Sequence, residues 1–334
     1  MHAMHYQPAL AALGVCLVCL WILLSPPFRR LMLDQPNARS LHQRPVPRSG
    51  GLAIAAGVAV GTAMSASVAQ QGLAVTLAAA AVLAAVSLAD DLFALPTLVR
   101  LAAHLAAAAA VLAFETGVTD PVLFLVLLLA VAWFTNLYNF MDGSDGLAGG
   151  MAVIGFGAYA LAAHQSGYAA LAGVSTVIAC ASAGFLLLNF PPARIFMGDA
   201  GSIPLGFLAG VLGVLGWHAG CWPMWFPMLA FAPFACDATL TLLKRLLRRE
   251  PVWQAHRDHY YQRLVRMGFG HRGTAWIEYA AMTGCAATAL LARRAEAGLQ
   301  IGAVCAAALV LIVIAAWIDA RWTRYLRDSE SARA

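Results

Sequence analysis

Charge is scarce in this sequence. Asp, Glu, Lys and Arg make up 11% of its 334 residues, against about 25% in soluble domains. With 61% hydrophobic residues and a mean hydropathy of +0.75, water is excluded as the solvent for most of the surface. Period-two alternation is missing from the apolar runs, which excludes barrel strands and leaves helices. The first apolar run, about 8–25, has no basic residue before it and no small-residue cleavage site. It continues into Pro26, Pro27, Phe28, Arg29 and Arg30, so a retained helix is expected rather than a removed signal peptide. Cys16 and Cys19 form a CxxC there, without the second CxxC or His pair that a closed zinc site needs. The seven cysteines therefore read as small packing residues. No internal repeat of the transporter kind is evident.

What is present is a series of apolar segments near the ~20 residues that a membrane crossing needs. They predict an all-α polytopic membrane protein with about eleven transmembrane helices, over about 8–27, 50–69, 73–89, 98–114, 121–138, 147–164, 168–188, 203–218, 222–242, 274–291 and 299–318. With loops 28–49, 90–97, 139–146, 189–202 and 243–273 and the tail 319–334 on one side, and Arg100 at the adjoining end of its helix, that side holds 19 of the 21 Lys and Arg residues, all except Arg293 and Arg294. The positive-inside rule makes it cytoplasmic, with the N-terminus outside and the C-terminus inside. The whole of 1–334 then reads as a single integral-membrane domain whose chemistry lies in the cytoplasmic loops.

The acids gather on the same side. Asp34, Asp90, Asp91, Asp142, Asp145, Asp199 and Asp258 all lie in or beside those loops. Solvation keeps acids from mid-span, yet it gives them little preference for one face, so a shared site is one explanation. In NLYNFMDGSDGLAGG (136–150), Asn136, Asn139, Asp142 and Asp145 recur every third residue. On a helix the first three share a broad face and Asp145 rotates away. All four converge only if the helix breaks near Gly143, which Gly143 and Gly146 permit. Oxygen ligands of this kind suit Mg²⁺ beside substrate phosphates; a polar exit loop is the alternative. Asp90 and Asp91 end the third segment, where adjacent acids either share a proton or face a cation. Asp199 stands between Gly198 and Gly201, whose backbone N–H groups suit a phosphate.

The largest loop, KRLLRREPVWQAHRDHYYQRLVRMGFGHRG, carries eight basic residues with His256, His259 and His271, and with Trp253, Tyr260 and Tyr261 nearby. Topology explains the charge but not the histidines, which beside an acid cluster suit a metal-bridged diphosphate. It contains no RNA-binding motif, so nucleic acid is not an expected partner. Segment 34–51, DQPNARSLHQRPVPRSGG, places Arg39, His42, Arg44 and Arg48 at the membrane surface, where anionic headgroups also favour them. Asp237, within the ninth segment, is expected to be structural, and His104 to hydrogen-bond between helices.

Together these segments resemble the polyprenyl-phosphate N-acetylhexosamine-1-phosphate transferase family, whose members start O-antigen, enterobacterial common antigen and teichoic acid linkage synthesis and include the phospho-MurNAc-pentapeptide translocase. The likeness spans nearly the whole chain: DQPNARSLHQRPVPRSGG is similar to the first cytoplasmic loop, ADDLFALP to the paired-aspartate motif, NLYNFMDGSDGLAGG to the Asn–Asn–Asp-Gly-x-Asp-Gly motif and FMGDAGS to the Gly-Asp-x-Gly-Ser motif. The resemblance implies that a UDP-sugar and undecaprenyl phosphate give undecaprenyl-diphospho-sugar and UMP, with Mg²⁺, or Mn²⁺ in its place, as cofactor. It implies a metal-binding Asp199, Asp90 as base or nucleophile, Asp91 beside the metal, and Asn136, Asn139, Asp142 and Asp145 in nucleotide-sugar binding. It also implies a bacterial inner-membrane enzyme, compatible with a homodimer and with downstream glycosyltransferases as partners. One departure stands out: where many relatives carry His-x-His-His, this chain has His259-Tyr260-Tyr261-Gln262-Arg263. That variant resembles a subgroup that starts O-antigen, sometimes with FucNAc or QuiNAc in place of GlcNAc. It shifts the expected grip on the diphosphate to Arg263 and His256 beside His259, with Arg39 and His42 from the first loop. The rival classes are a transporter or flippase, an inactive scaffold, and a CDP-alcohol phosphotransferase, whose longer Asp-Gly-x-x-Ala-Arg pattern is absent.

Overall fold

The computed structural model describes residues 6–30, 32–35, 41–42, 44–65, 72–252, 254 and 256–331. The expected all-α architecture holds, with one two-residue strand pair among the described residues. In chain order, α1 (Gln7–Leu23) is followed by β1 (Leu33–Asp34) antiparallel to β2 (Val46–Pro47), then α2 (Gly50–Ala63) and α3 (Ala74–Phe93). Next come α4 (Thr97–Val111), which continues through a π turn to Thr116, α5 (Pro121–Phe140), α6 (Leu147–Gln165), α7 (Ala169–Asn189) and α8 (Asp199–His218). The chain finishes with α9 (Phe226–Ala230), α10 (Ala232–Leu247), α11 (Tyr260–Leu264), α12 (Gly270–Ala292) and α13 (Ala297–Ser331).

Eight helical units among the described residues are long and apolar enough to cross a membrane: α3, α4 with its continuation, α5, α6, α7, α8, the unit Tyr260–Ala292, and α13. At 17 and 14 residues, α1 and α2 are shorter. The segment expected to cross at 222–242 is divided at Phe231 into α9 and α10, with Pro227 and Pro233 opening the two pieces. A proline has no N–H to donate and its ring meets the preceding turn, so it starts a helix readily and continues one poorly. The other boundary differences share one effect. Helix α3 runs on to Phe93, α5 to Phe140, and α8 begins at Asp199 rather than 203. Asp90, Asp91, Asn139 and Asp199 thus sit on rigid helix ends instead of in loops.

Local chemistry sets several of these ends. Asp120 caps α5, accepting from Val122 N (2.8 Å) and Leu123 N (3.0 Å), with Pro121 at the first position. Helix α3 stops where Ala94 turns left-handed and its N–H bonds back to Asp90 O. The bundle is organised around α8, whose residues 200–216 are all buried; α3, α5, α2 and α6 pack on it. At one crossing α2 touches α8 so closely that a side chain on Gly51 would lie 2.3 Å from Gly201 N, so both positions need glycine. By contrast, α13 is mostly exposed, burying only Ala315 and Ile318. All seven cysteines are free. His104 is buried with Nδ1 unpartnered, so the helix–helix hydrogen bond expected of it is not made through that nitrogen.

Candidate active site

A cavity of about 430 Å³ opens where α5 ends and α6, α8 and α12 begin. The helix break expected near Gly143 occurs: α5 stops at Phe140, Gly146 takes φ 77°, and α6 starts at Leu147. The turn is braced from below by Asn189, which accepts from Gly146 N (2.9 Å) and donates to Ile195 O (2.9 Å), and by Tyr279, whose hydroxyl donates to Gly146 O (2.7 Å). Gly143 is forced by crowding, since a Cβ there would stand 2.1 Å from the Tyr261 hydroxyl. Segment 44–51 runs beside 196–201 through hydrogen bonds from Phe196 N to Pro47 O, Gly50 N to Phe196 O and Gly51 N to Met197 O. That pairing delivers Arg48, with Asp34 and His42 behind it, to the cavity rim. Helix N-termini carry partial positive charge, and those of α6, α8 and α12 meet here.

Asp142, Asp145 and Asp199 line this cavity, while Asp90 and Asp91 are not among its lining residues. Asn139 links Ser202 to Asp199: its Oδ1 accepts from Ser202 Oγ (2.7 Å), and its side chain also hydrogen-bonds Asp199. Burial, and then the charge of Asp199, push the Asp142 carboxyl well above the ordinary carboxylate range, against the pull of a hydrogen bond from the Gly198 backbone. Asp145 turns to the other side of the loop, where Oδ2 accepts from Ala193 N (2.9 Å) and Oδ1 lies 3.7 Å from His271 Nδ1. His271 also meets Ser144 Oγ at 2.9 Å and accepts from Asp145 N at 3.3 Å.

The paired aspartates are not equivalent. Both oxygens of Asp90 are engaged: Oδ1 accepts from Leu95 N (2.7 Å) and Oδ2 from Arg100 Nη1 (2.7 Å). Asp91 meets Arg48 Nη1 at 3.2 Å through Oδ1, while Oδ2 is buried with no partner. An unpartnered buried carboxylate oxygen is costly unless something positive completes it.

Other expected residues lie elsewhere. Asn136 turns back along its own helix to donate to Ala132 O (2.7 Å). Arg263 points away from the cavity to Asp319 Oδ1 (2.8 Å) and stacks over Tyr260 and Trp322. His259 is buried behind the wall, its Nδ1 3.0 Å from Asp237 Oδ1. Asp237 also accepts from the N–H groups of Tyr260 and Tyr261 and from Thr241, all at 3.0–3.1 Å, which bears out a structural role. His256 does line the cavity; burial, then His259 and Arg245, lower its pKa to about 4, so it is neutral at pH 7. His42 lines the rim with Nε2 3.3 Å from Asp34 Oδ2. Arg39 and Trp253 fall outside the described residues. Ser144, Asn189 and Gln262 belong to the lining without having been expected. Two of them carried a signal: Ser144 by its position inside the Asp142–Asp145 repeat, and Gln262 by its place in the run His259–Arg263.

Among the described residues no three His, Cys, Asp or Glu side chains gather closely enough to cage a metal ion. The donors nevertheless suit Mg²⁺, which is usually held by one or two carboxylates, with water and substrate phosphate supplying the rest. Asp91 has an oxygen to spare, and Asp142 and Asp199 are close enough to raise the former's pKa.

A cavity bearing several carboxylates thus lies at one end of a polytopic helical bundle. The family model for glycosyl transferase family 4 matches residues 73–216, which contain the paired aspartates, the Asn139–Asp145 loop and Asp199. The chain is 29% identical over 280 residues (77% of this chain, 78% of the relative) to a probable undecaprenyl-phosphate N-acetylglucosaminyl 1-phosphate transferase of Bacillus subtilis. It is 29% identical over 329 residues (83% and 81%) to a decaprenyl-phosphate N-acetylglucosaminephosphotransferase of Mycobacterium tuberculosis. A shorter match, 37% over 103 residues (30% and 32%), is to a phospho-N-acetylmuramoyl-pentapeptide-transferase of Staphylococcus aureus. The chain belongs to glycosyl transferase family 4, the polyprenyl-phosphate sugar-1-phosphate transferases that its motifs resemble.

Proposed function

We propose that the protein transfers an N-acetylhexosamine-1-phosphate from a UDP-sugar to undecaprenyl phosphate, releasing UMP. The observation that carries this reading is the cluster of Asp142, Asn139 and Asp199 at the N-terminus of α8, facing Asp91 with its unpartnered oxygen. A phosphate oxygen of the lipid attacks the sugar-bearing phosphorus of the UDP-sugar; the bond from that phosphorus to the UMP oxygen breaks, and UMP leaves with the electron pair. Two anions must approach each other, so the site has to supply positive charge. Arg48 and the converging helix N-termini provide some of it. Asp199 and Asp91 would hold Mg²⁺, or Mn²⁺ in its place, with water and substrate phosphate supplying the remaining ligands. When bound, it neutralises charge on the diphosphate oxygens. Asp90 takes the lipid phosphate's proton, if one remains, after yielding its bond with Arg100.

The polar wall formed by His256, Gln262 and the Ser144–His271 pair suits hydroxyl and amide groups of the nucleotide-sugar better than its diphosphate. GlcNAc and its 6-deoxy relatives FucNAc and QuiNAc are the sugars proposed, and O-antigen initiation the process. The site faces the cytoplasm of a bacterial inner membrane in this reading, the side on which UDP-sugars are made. Purified protein supplied with undecaprenyl phosphate and UDP-GlcNAc, UDP-FucNAc or UDP-QuiNAc is expected to release UMP only when Mg²⁺ or Mn²⁺ is present, with the lipid product identified by mass spectrometry. Absence of UMP release with every sugar would overturn the reading.

A further inference from the structure

The opposite end of the bundle holds a second polar centre. Helix α8 has 20 residues, so its far end lies about 30 Å from Asp199 at 1.5 Å per residue. There, an open cavity of about 520 Å³ is lined by Arg293, Arg294, Trp217, Trp222, Ser166 and Gln300, among others. Arg293 and Arg294 are the two basic residues missing from the rest of the charge distribution, and they occur side by side.

Neither guanidinium has a carboxylate within ion-pair distance among the described residues. Arg293 is 6% exposed and donates through Nη1 to Cys221 O (3.2 Å) and Ser166 Oγ (3.3 Å), and through Nη2 to Gln165 Oε1. Its Nε is buried without a partner. Arg294 is exposed and donates through Nη2 to Gln165 O. All these acceptors are neutral. The C-termini of α6, α8 and α12 meet here, and each supplies only about half a negative charge, spread over its last turn. That does not balance two full charges: burial and then Arg294 hold the Arg293 guanidinium below its ordinary range. Two adjacent arginines in this state call for an anion, and a planar guanidinium fork matches phosphate in particular. The walls indicate which anion. Trp217 and Trp222 line the cavity and Trp225 bonds to Gln300 (3.0 Å), an aromatic grouping typical of the membrane–water boundary.

We propose that this cavity is a binding site for the phosphate headgroup of an anionic phospholipid, drawn from the leaflet opposite the acidic cavity and held by Arg293 and Arg294 against the tryptophans. Holding a lipid here ties the ends of α6, α8 and α12 together, because the same guanidiniums already bond to the α6 terminus and to Cys221. The site is independent of the reaction proposed above.

The test is native mass spectrometry of the purified full chain from micelles containing phosphatidylglycerol or phosphatidylcholine, alone or with excess inorganic phosphate. Wild type is expected to retain one phosphatidylglycerol at a lipid concentration about tenfold lower than Arg294→Gln requires, a difference equivalent to about 1.4 kcal/mol. Arg293→Lys, which keeps the charge and loses the fork, is expected to fall between them. Phosphatidylcholine should show no difference among the three. Equal retention of phosphatidylglycerol by wild type and Arg294→Gln would overturn the proposal, as would equal retention of the two lipids. Complete displacement of the lipid by inorganic phosphate would assign the arginines to a small anion instead and overturn it too.

Discussion

The two ends of α8 hold opposite chemistry. At its start, helix N-termini, Asp199 and Asp142 face a cavity that also receives Arg48, so both signs of charge are present. At its end, helix C-termini meet two arginines that have no carboxylate within ion-pair distance among the described residues, their guanidiniums committed to neutral acceptors. The first arrangement suits a reaction in which charge moves and a cation is shared between protein and substrate. The second suits a standing anion. The apolar, fully buried body of α8 separates them and keeps each in register with the membrane surface.

The largest test of this contrast removes a charge from the acidic end. Asp199→Asn is expected to lower UMP release about thousandfold, the upper scale for losing one preorganised charge-stabilising group, while the protein still inserts and purifies as a folded bundle. Normal turnover in that variant would mean that the acidic end is no more reactive than the arginine end.

The paired aspartates allow a finer division. Asp91→Asn removes the oxygen left without a partner, so half-maximal activity should need about ten- to hundredfold more Mg²⁺, the range for disturbing groups that hold or orient metal ligands. Asp90→Asn breaks the Arg100 pair and weakens the anchor on Leu95 N, so it should lower turnover with an unchanged Mg²⁺ requirement. A titration of Mg²⁺ against initial rate separates them; identical curves would dissolve the distinction between the two carboxylates.

A smaller effect is expected from the loop that carries Asp142. Gly143→Ala puts a methyl group against the Tyr261 hydroxyl, so either the loop or the ring must shift. Displacements near an ångström cost up to about a hundredfold in rate, and about tenfold is expected because the ring can give a little. Adding Tyr261→Phe should restore part of the rate by removing the crowding atom. If Gly143→Ala alone is as active as wild type, the close approach does not matter to the loop.

Much of the acidic end was legible in the sequence because covalent spacing encodes it. The three-residue repeat of Asn139, Asp142 and Asp145, with glycines at 143 and 146, foretold a helix break, and the four motifs together foretold one shared face. The wall contributed by 254–273 was not legible. Whether His256 or His259 faces the cavity depends on Asp237, a buried residue in another helix that captures His259 and two backbone N–H groups. Likewise Arg263 was drawn off by Asp319, more than fifty residues away, and Asn136 by the carbonyl of its own preceding turn. Sequence spacing carries no information about such competition. The division of the ninth segment at Phe231 was missed for a different reason: hydropathy is continuous there, and only Pro227 and Pro233 mark the break.

The smallest expected effect concerns His256 and is seen in stability against pH. Its folded pKa is depressed, from the ordinary 6.5 to about 4, because burial, His259 and Arg245 all oppose its protonation. The unfolded chain therefore takes up a proton as pH falls below 6.5, while the folded chain does not until about 4. The stability this residue contributes is fully present above 6.5 and is lost progressively across that window. His256→Gln keeps hydrogen-bonding capacity and cannot titrate, so the drop in unfolding temperature between pH 7 and pH 4.5 should be smaller in the variant, by a few degrees at most. At the other end of α8, Arg293 and Arg294 keep their charge across this range. Equal acid sensitivity in variant and wild type would show that His256 is already solvated in the folded protein, and the polar wall ascribed to the nucleotide-sugar would lose one of its members.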